Sequence, residues 1–516
     1  MSLSNIFTPQ PSDVQWTAQD ELQISLICRT DSYKFTHPFM FKQLKKLKRV
    51  KGMTSYGEAR VPSEVKITVF GVQMLLAKFF TKPITMAHID AAEAFAIGHF
   101  GRPLFDRASW EKVVNVYGGF PPLIVRAAPD GTVLSGGDPV YSVTVLDEDL
   151  FWMSSGFEMI ILRGVWYPST IASLDRDSKI EMKRFYEISG APLELLPFSL
   201  HDFGGRGVSC GEQAEVGGAA HLVNYMGSDT IEGVLAANFY YDCPMAAFSV
   251  FATEHSVECS FGLDEEGEGE YIKAMLANAV EGTILSIVID GKDTKRCAER
   301  LCAPASEGGF REAIIASKAK VVFRPDSGDM MEIVPWLIRL QAASFGFTMN
   351  DKGYRVINYV GIIQGDGVDR LNMLTLIGNV LAMGFVASSV VFGSGGALLQ
   401  KVNRDTHKWA QKGSALLVSE PRRVGAVGTT GAFFGATVFV DNWIGIAKDP
   451  ITDPGKKSKE GVMTTIRNIE TKQTKPFRLD TAEVPEGWED VHRLVLHTGR
   501  LYNKVNLAEV RESAAV

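Results

Sequence analysis

The sequence predicts an α/β protein: a parallel barrel or sheet over residues 171–401, joined to a second, α+β domain built from both flanks, residues 20–170 and 402–510. Three observations predict it. From about residue 195 to 400 one theme recurs, in which a short β-branched run ends in Asp, Gly or Arg and a helix pattern follows. The run ends at Asp290, Asp326, Asp366 and Ser394 lie 36, 40 and 28 residues apart, about one βα unit of a barrel of roughly 250 residues. The flanks break this rhythm and mix helices with short strands.

In chain order, ITMAHIDAAEAFAIGHF (84–100) reads as a helix and PLIVRAAPDGTVLSGGDPVYSVTV (122–145) as short strands. FSL (198–200) leads into HDFGGRGVS and then the apolar helix AEVGGAAHLVNYMG. LSIVID (285–290) leads into GKDT and the helix KRCAERLC, with Asp293 or Thr294 placed as its cap. KVVF (320–323) leads into RPDSG and a helix with Pro335 near its start. VGIIQ (360–364) precedes GDGVDRLNMLTLIGNVLAMG, and FVASSVVF (385–392) precedes GSGGALLQK. HRLVLHTGRLYNKV (492–505) carries a hairpin signal at Thr498-Gly499. The Lys-rich KDPITDPGKKSKEG (448–461) is either a solvated connection or a phosphate clamp.

Composition narrows the function. Of 516 residues, 46% are hydrophobic and 22% charged, a globular balance. With 53 lysines and arginines against 60 aspartates and glutamates, the net charge of −7 argues against nucleic acid as a partner, though not against local sites for small phosphates. The uncharged stretch between Arg370 and Lys401 is broken by Asn372, Asn379, Ser388-Ser389 and glycines, so it reads as a buried helix, strand and Gly loop, not a membrane span. Six cysteines without a CxxC pair exclude the usual zinc spacings and suggest reduced thiols, and the N-terminus lacks the basic and apolar features of an export signal. A cytoplasmic protein is expected.

In α/β folds ligands bind at the carboxyl ends of the strands, where the acids, arginines and glycines of this chain collect. Gly and Asp also form ordinary turns, but four or five consecutive loops carrying both outweigh that reading. The first set is cation plus glycine: Arg206 in GGRG, Arg324 in FRPDSG, Gly365 and Gly367 around Asp366, and Gly393, Gly395 and Gly396 at a helix start. Exposed N–H groups at such a start bind phosphate oxygens and arginines add charge-assisted bonds, so a phosphorylated small substrate is implied. Neither a Walker loop nor a dinucleotide fingerprint is present. The second set is acidic: Asp229, Asp290, Asp326 and Asp366. Asp290 and Asp326 on neighbouring strand ends suit magnesium, which takes one or two carboxylates, water and substrate phosphates; structural salt bridges are the alternative. The third is His255 in SVFATEHS with Phe203 in HDFGG; taken alone, a single histidine is more often structural than catalytic.

The motifs DSYKFTH, SYGEAR, LHDFGGRGVS, AAHLVNYMGSDT, ATEHS, FRPDSG, IIQGDGVD, FGSGGALLQK and KDPITDPGKKSKEG, in this order, resemble the nicotinamide phosphoribosyltransferase family from about residue 25 to the C-terminus. The resemblance implies a type II phosphoribosyltransferase fold, an irregular α/β barrel, in a homodimer with shared active sites. It implies transfer of phosphoribose from phosphoribosyl pyrophosphate to nicotinamide with Mg2+, and ATP as a co-substrate that phosphorylates His255. It further implies that Phe203 and the partner subunit's Tyr33 sandwich the pyridine ring, and that Asp229 accepts the carboxamide N–H with Ser286 and Arg324 nearby. Arg206, Asp326, Gly365, Asp366, Gly395 and Gly396 would hold the ribose phosphate, Asp290 and Asp326 the magnesium pyrophosphate, and Arg60, Arg404, Lys412, Lys448 and Lys456 would supply phosphate-binding charge.

The chain departs from the family at four places. Phe198-Ser199 replaces Tyr-Lys and Gly205 replaces an aromatic, which predicts a wider or less charged tunnel edge; Gly291-Lys292 replaces Ser-Tyr after Asp290; and the segment 414–443 is long. Competing readings are a nicotinate phosphoribosyltransferase, from which Asp229 distinguishes it; a barrel relic that binds or signals without turnover; and an isomerase or aldolase, for which Lys292 is the only obvious strand-end lysine.

Overall fold

A computed structural model describes residues 25–427 and 433–515. The N-terminal stretch read for export signals and residues 428–432 of the long segment lie outside the described residues. Seven parallel strands form one curled sheet in the order Gly227–Ser228, Leu200–Asp202, Val390–Ser394, Val360–Gln364, Lys320–Arg324, Ile284–Val288, Phe251–Ala252. Its edges meet at Phe248, which donates its N–H to Met226 O (2.8 Å) and accepts from Ser228 N (3.2 Å), so the sheet closes into an irregular barrel. The four central strands, from Ile284–Val288 to Val390–Ser394, read as near-continuous apolar runs because both faces are covered. Ile287, Val321, Phe323, Ile362 and Phe392 are buried under the helices, while Ser286, Val322, Gly361 and Val391 line the lumen.

The helices between these strands start where local chemistry places them. Asp293 caps Thr294–Cys302 by accepting from Lys295 N (3.0 Å) and Arg296 N (3.1 Å), and Asp369 with Asn372 forms a reciprocal capping box on Arg370–Ala382. Asp329 caps Met330–Phe345, which begins where expected with Pro335 in its second turn. Two local expectations differ. FVASSVVF is a strand only from Val390, because Ala387 N donates to Ser189 Oγ (3.0 Å) and Ala387–Ser389 takes a 3-10 turn. The helix expected after GSGG is a single turn, Gly396–Leu399.

A second, antiparallel sheet runs Phe433–Gly445, Trp409–Val427, Val50–Ala59, Pro139–Val145, Ile124–Ala127, Arg493–His497, Arg500–Leu501. Strands from before and after the barrel pair directly within it: Tyr56 faces Lys412, and Val125 faces Leu496. Thr498 and Gly499 take left-handed φ of 43° and 76° at the expected hairpin. Past Val418, the last partner of the Val50 strand, the hairpin continues as a two-stranded ribbon to Val427 opposite Phe433, which is why segment 414–443 is long. The helix Glu158–Ser189 passes through residues 170 and 171 and serves both parts, burying Ile160 and Val165 in one core and Met182 and Tyr186 in the other. Among the described residues no helix is long and apolar enough to cross a membrane.

Candidate active site

The carboxyl ends of the barrel strands gather the residues expected there. Phe203 follows Leu200–Asp202, Asp229 follows Gly227–Ser228, Asp290 follows Ile284–Val288, Arg324 and Asp326 close the next strand, Gly365 and Asp366 the next, and Gly395 and Gly396 the last. The Phe203 ring lies across Gly393 and Gly365. A Cβ at Gly393 would fall 2.0 Å from that ring, so the strand end must be glycine there for the ring to lie flat. A Cβ at Gly365 would stand 3.4 Å from the ring and 3.5 Å from Asp326 Oδ1, so ring and carboxylate flank one glycine. The short turn Gly205–Gly207, which exposes Arg206, backs onto Gly396, where a Cβ at Gly207 would meet Gly396 N at 2.9 Å. Phosphate-seeking backbone N–H groups and a guanidinium therefore share one rim.

On the opposite side of the barrel mouth, His255 starts the helix His255–Phe261, and its Nε2 lies 2.9 Å from Asp290 Oδ1. A carboxylate only accepts, so Nε2 carries a proton, and in the neutral ring Nδ1 presents the lone pair. Thr253 aligns this loop, accepting at Oγ1 from Val288 N (2.9 Å) and Tyr271 Oη (2.7 Å), while its carbonyl accepts from Arg324 NH2 at 2.7 Å. Asp326 makes no hydrogen bond among the described residues, and Asp290 commits one oxygen to His255. Among the described residues no three His, Cys, Asp or Glu side chains gather around a metal position. The free oxygens of Asp290 and Asp326 on adjacent strands, tied by Ile289 N to Arg324 O (3.3 Å), fit an ion whose other ligands are phosphate and water.

Behind the rim lies a buried polar network that sequence patterns did not single out. His221 stands between Asp175 Oδ2 (Nδ1, 2.7 Å) and Gly227 O (Nε2, 3.2 Å), with both nitrogens facing acceptors. Burial opposes its charge, but Asp175, with Asp202 and the Gly227 carbonyl, together outweigh burial and raise its pKa. Asp202, fully buried, accepts from Gly204 N (2.7 Å), and burial pushes its carboxyl up. Its carbonyl accepts from Asp229 N (2.9 Å), which places Asp229 one strand from Phe203, while Asp229 itself accepts from Ser249 Oγ. In the sequence His221 shows only as a polar residue after an apolar run, and Asp175 does not stand out from its charged neighbours Arg176 and Asp177.

The lumen holds a cavity of about 750 Å³ lined by Phe198, His201, Ser286, Val322 and Lys320, with Ser286 Oγ buried and unbonded. Ser199 turns away from it, donating to Leu196 O (2.8 Å). Lys320, which opens its strand, brings an amine to the cavity beside Gly361; burial lowers its pKa, and among the described residues no acid pairs with it.

The flanks collect cations. Lys412 is partly buried, and burial first, then Arg60, Lys448 and Lys34 beside it, lower its pKa although Glu158 opposes them. Within this group Lys34 is paired to Glu158 (2.9 Å) and Arg60 to Glu58 (3.1 Å). Arg404 and Lys456 stand apart, paired to Asp405 (2.9 Å) and Asp453 (2.9 Å). Tyr33 is 53% exposed, edge-on to His37 at 5.0 Å. Among the described residues of one chain, no hydrogen bond, ion pair or ring contact joins Tyr33 or these cations to Phe203, Asp290 or Asp326.

A closed parallel barrel with this rim, beside an antiparallel sheet that carries cations, is the architecture of a phosphoribosyltransferase. Solved structures share it: nicotinate-nucleotide pyrophosphorylase from Pyrococcus furiosus has a TM-score of 0.55 at 15% identity, covering 98% of this chain and 97% of that one. Human nicotinic acid phosphoribosyltransferase has a TM-score of 0.52 at 16% identity, covering 94% and 92%. At such identity these show the fold. Residues 198–422 match the nicotinate phosphoribosyltransferase (NAPRTase) family, and residues 25–125 match the N-terminal domain of nicotinamide phosphoribosyltransferase. A nicotinamide phosphoribosyltransferase of Xanthomonas campestris is 37% identical over 95% of this chain and 98% of its own length, and one of Acinetobacter baylyi is 27% identical over 87% and 88%. The chain belongs to the nicotinamide phosphoribosyltransferase family.

Proposed function

We propose that this chain transfers the 5-phosphoribosyl group of phosphoribosyl pyrophosphate to nicotinamide, giving nicotinamide mononucleotide and pyrophosphate. The pyridine nitrogen forms the new bond to the anomeric carbon, the bond to pyrophosphate breaks, and the leaving group takes the electron pair. The transition state resembles an oxocarbenium ion, so the protein's task is to hold base and sugar in line and to stabilise charge where it develops. The observation that carries the base assignment is Asp229, a carboxylate at the barrel mouth one strand from the Phe203 ring. It suits a carboxamide N–H and opposes a carboxylate. The nicotinate reading, favoured by the family matched over residues 198–422, meets that obstacle.

Phe203 stacks on the base, with Ser286 and Arg324 beside it. Arg206, Gly365, Asp366, Gly395 and Gly396 hold the ribose 5-phosphate. Asp290 and Asp326 would hold Mg2+, which offsets charge on the leaving pyrophosphate. The separation of Tyr33 and of the cations Arg60, Lys412, Lys448, Arg404 and Lys456 from the barrel rim supports a homodimer in which the partner supplies them to each site. ATP is the proposed co-substrate: the Nδ1 lone pair of His255 attacks the γ-phosphorus, ADP departs with the electrons of the broken P–O bond, and Asp290 steadies the resulting phosphoimidazolium through Nε2–H. Six free thiols, two of them exposed, support a reducing compartment, the cytoplasm. Incubation with Mg2+, phosphoribosyl pyrophosphate and nicotinamide tests the reading; equimolar mononucleotide and pyrophosphate are expected, and their absence overturns it.

A further inference from the structure

The helix that carries His255 is tied to the loop that carries Asp290 at two points, and only one of them is the imidazole–carboxylate pair. Glu258, one turn after His255, is 4% exposed, and its Oε1 accepts from Gly291 N at 3.2 Å. A Cβ at position 291 would lie 2.5 Å from the Glu258 carboxyl carbon and within 2.7 Å of both its oxygens. The carboxylate therefore occupies the space that a side chain at 291 would need, and glycine at that position is what admits it. The second oxygen, Oε2, is buried without a partner among the described residues, a costly arrangement for a group whose only function is to fill space. Burial raises the pKa of Glu258, and Asp290 and Glu268 add to the rise while His255 and the Gly291 N–H oppose it.

We propose that Glu258 is a positioning residue for the phosphoryl-accepting histidine, fixing the helix His255–Phe261 to the Asp290–Gly291 backbone so that Nε2 stays on Asp290 and Nδ1 faces the incoming γ-phosphate. The inference rests on the reading of His255 given above. With the imidazole as its only bond to the Asp290 loop, a seven-residue helix keeps a freedom of tilt about His255 that a second tie removes. Position 291 and position 258 act as a pair, since any side chain at 291 displaces the carboxylate.

The test compares the ratio of mononucleotide synthesis with and without ATP, and the phosphohistidine yield, in the full-length protein and in Glu258→Gln, Glu258→Ala, Glu258→Met and the double variant Glu258→Ala/Gly291→Ala. Glu258→Gln keeps an acceptor for Gly291 N and should hold the ATP stimulation within about twofold, whereas Glu258→Ala should lose at least about fivefold. Glu258→Met fills the volume without accepting and should behave as Glu258→Ala, which keeps the test valid if the alanine variant folds poorly. In the double variant the methyl group at 291 refills part of the emptied space; stimulation should stay low. Recovery there, or full stimulation in Glu258→Ala or Glu258→Met, would show that Glu258 merely packs and would overturn the proposal. No ATP stimulation in the unmutated protein overturns the phosphohistidine reading and the positioning role with it, a result distinguishable from failure of the tie alone.

Discussion

His255 and Asp290 meet at 2.9 Å across the ends of two neighbouring parallel strands, the imidazole 39% exposed and the carboxylate 5% exposed. The pairing leaves one ring nitrogen protonated toward the protein and the other open to solvent, the arrangement a nucleophilic imidazole requires. It also separates what the histidine does from what holds the base and the sugar.

Replacing His255 should therefore uncouple ATP without destroying synthesis. His255→Ala is expected to bring the ratio of rates with and without ATP to about one and to remove ATPase activity, while slower ATP-independent synthesis persists because Phe203 and the glycine rim are untouched. Phosphoprotein mass spectrometry under alkaline conditions, which preserve phosphohistidine, checks the site. A stable phosphate on another residue would remove this histidine from the mechanism.

Base choice should respond to Asp229. At about 4 Å, repulsion between its carboxylate and that of nicotinate is about 4 kcal/mol at an effective dielectric of 20 and about 1 kcal/mol in water. Asp229 is exposed, so the lower part of that interval applies and a preference of about tenfold or more for nicotinamide is expected. Asp229→Asn should narrow the ratio chiefly by improving nicotinate, as read from kcat/KM for each base.

Mixed dimers report on subunit sharing. Tyr33→Ala and Asp326→Ala proteins should each be poor, and co-refolded mixtures should recover about a quarter of the unmutated activity, because half of the dimers are mixed and each of those has one intact site. Activity that stays at the level of the parents in verified mixed dimers would mean that each chain builds its own site.

Acid should destabilise the fold through buried neutral histidines. Burial holds His201 at a pKa of about 4, below its ordinary 6.5, and lowers His492 likewise. Below pH 6.5 the unfolded chain binds protons that the folded chain refuses until about pH 4, so stability falls as pH drops through that window, by on the order of 3 kcal/mol for His201. His201→Gln should flatten the dependence of Tm on pH between 6.5 and 4.

Much of this was legible in the sequence. The barrel announced itself because its central parallel strands, Ile284–Val288, Lys320–Arg324, Val360–Gln364 and Val390–Ser394, are mostly buried and their loops repeat acid and glycine, and the carboxyl-end rule placed Phe203, Asp290 and Asp326 on one rim. The three-part support beneath it was not. Asp175, His221 and Asp202 are brought together from different elements, and their roles depend on contacts made only after the helices pack. Lys320 opens its strand and is exposed there, and only the folded sheet shows that its amine borders the cavity. Glu258 carries no signal in the sequence, and only the missing side chain at Gly291 gives its buried carboxyl room. The ribbon between Trp409 and Gly445 was visible as extra length, with its pairing set by register.

The most direct test is a competition assay. Purified protein is given Mg2+, phosphoribosyl pyrophosphate and equal concentrations of nicotinamide and nicotinate, and both mononucleotides are separated by chromatography. Nicotinamide mononucleotide should predominate by about tenfold or more, with pyrophosphate released in equal amount. Predominance of nicotinate mononucleotide, or equal use of the two bases, would contradict the assignment of Asp229 and the activity proposed from it.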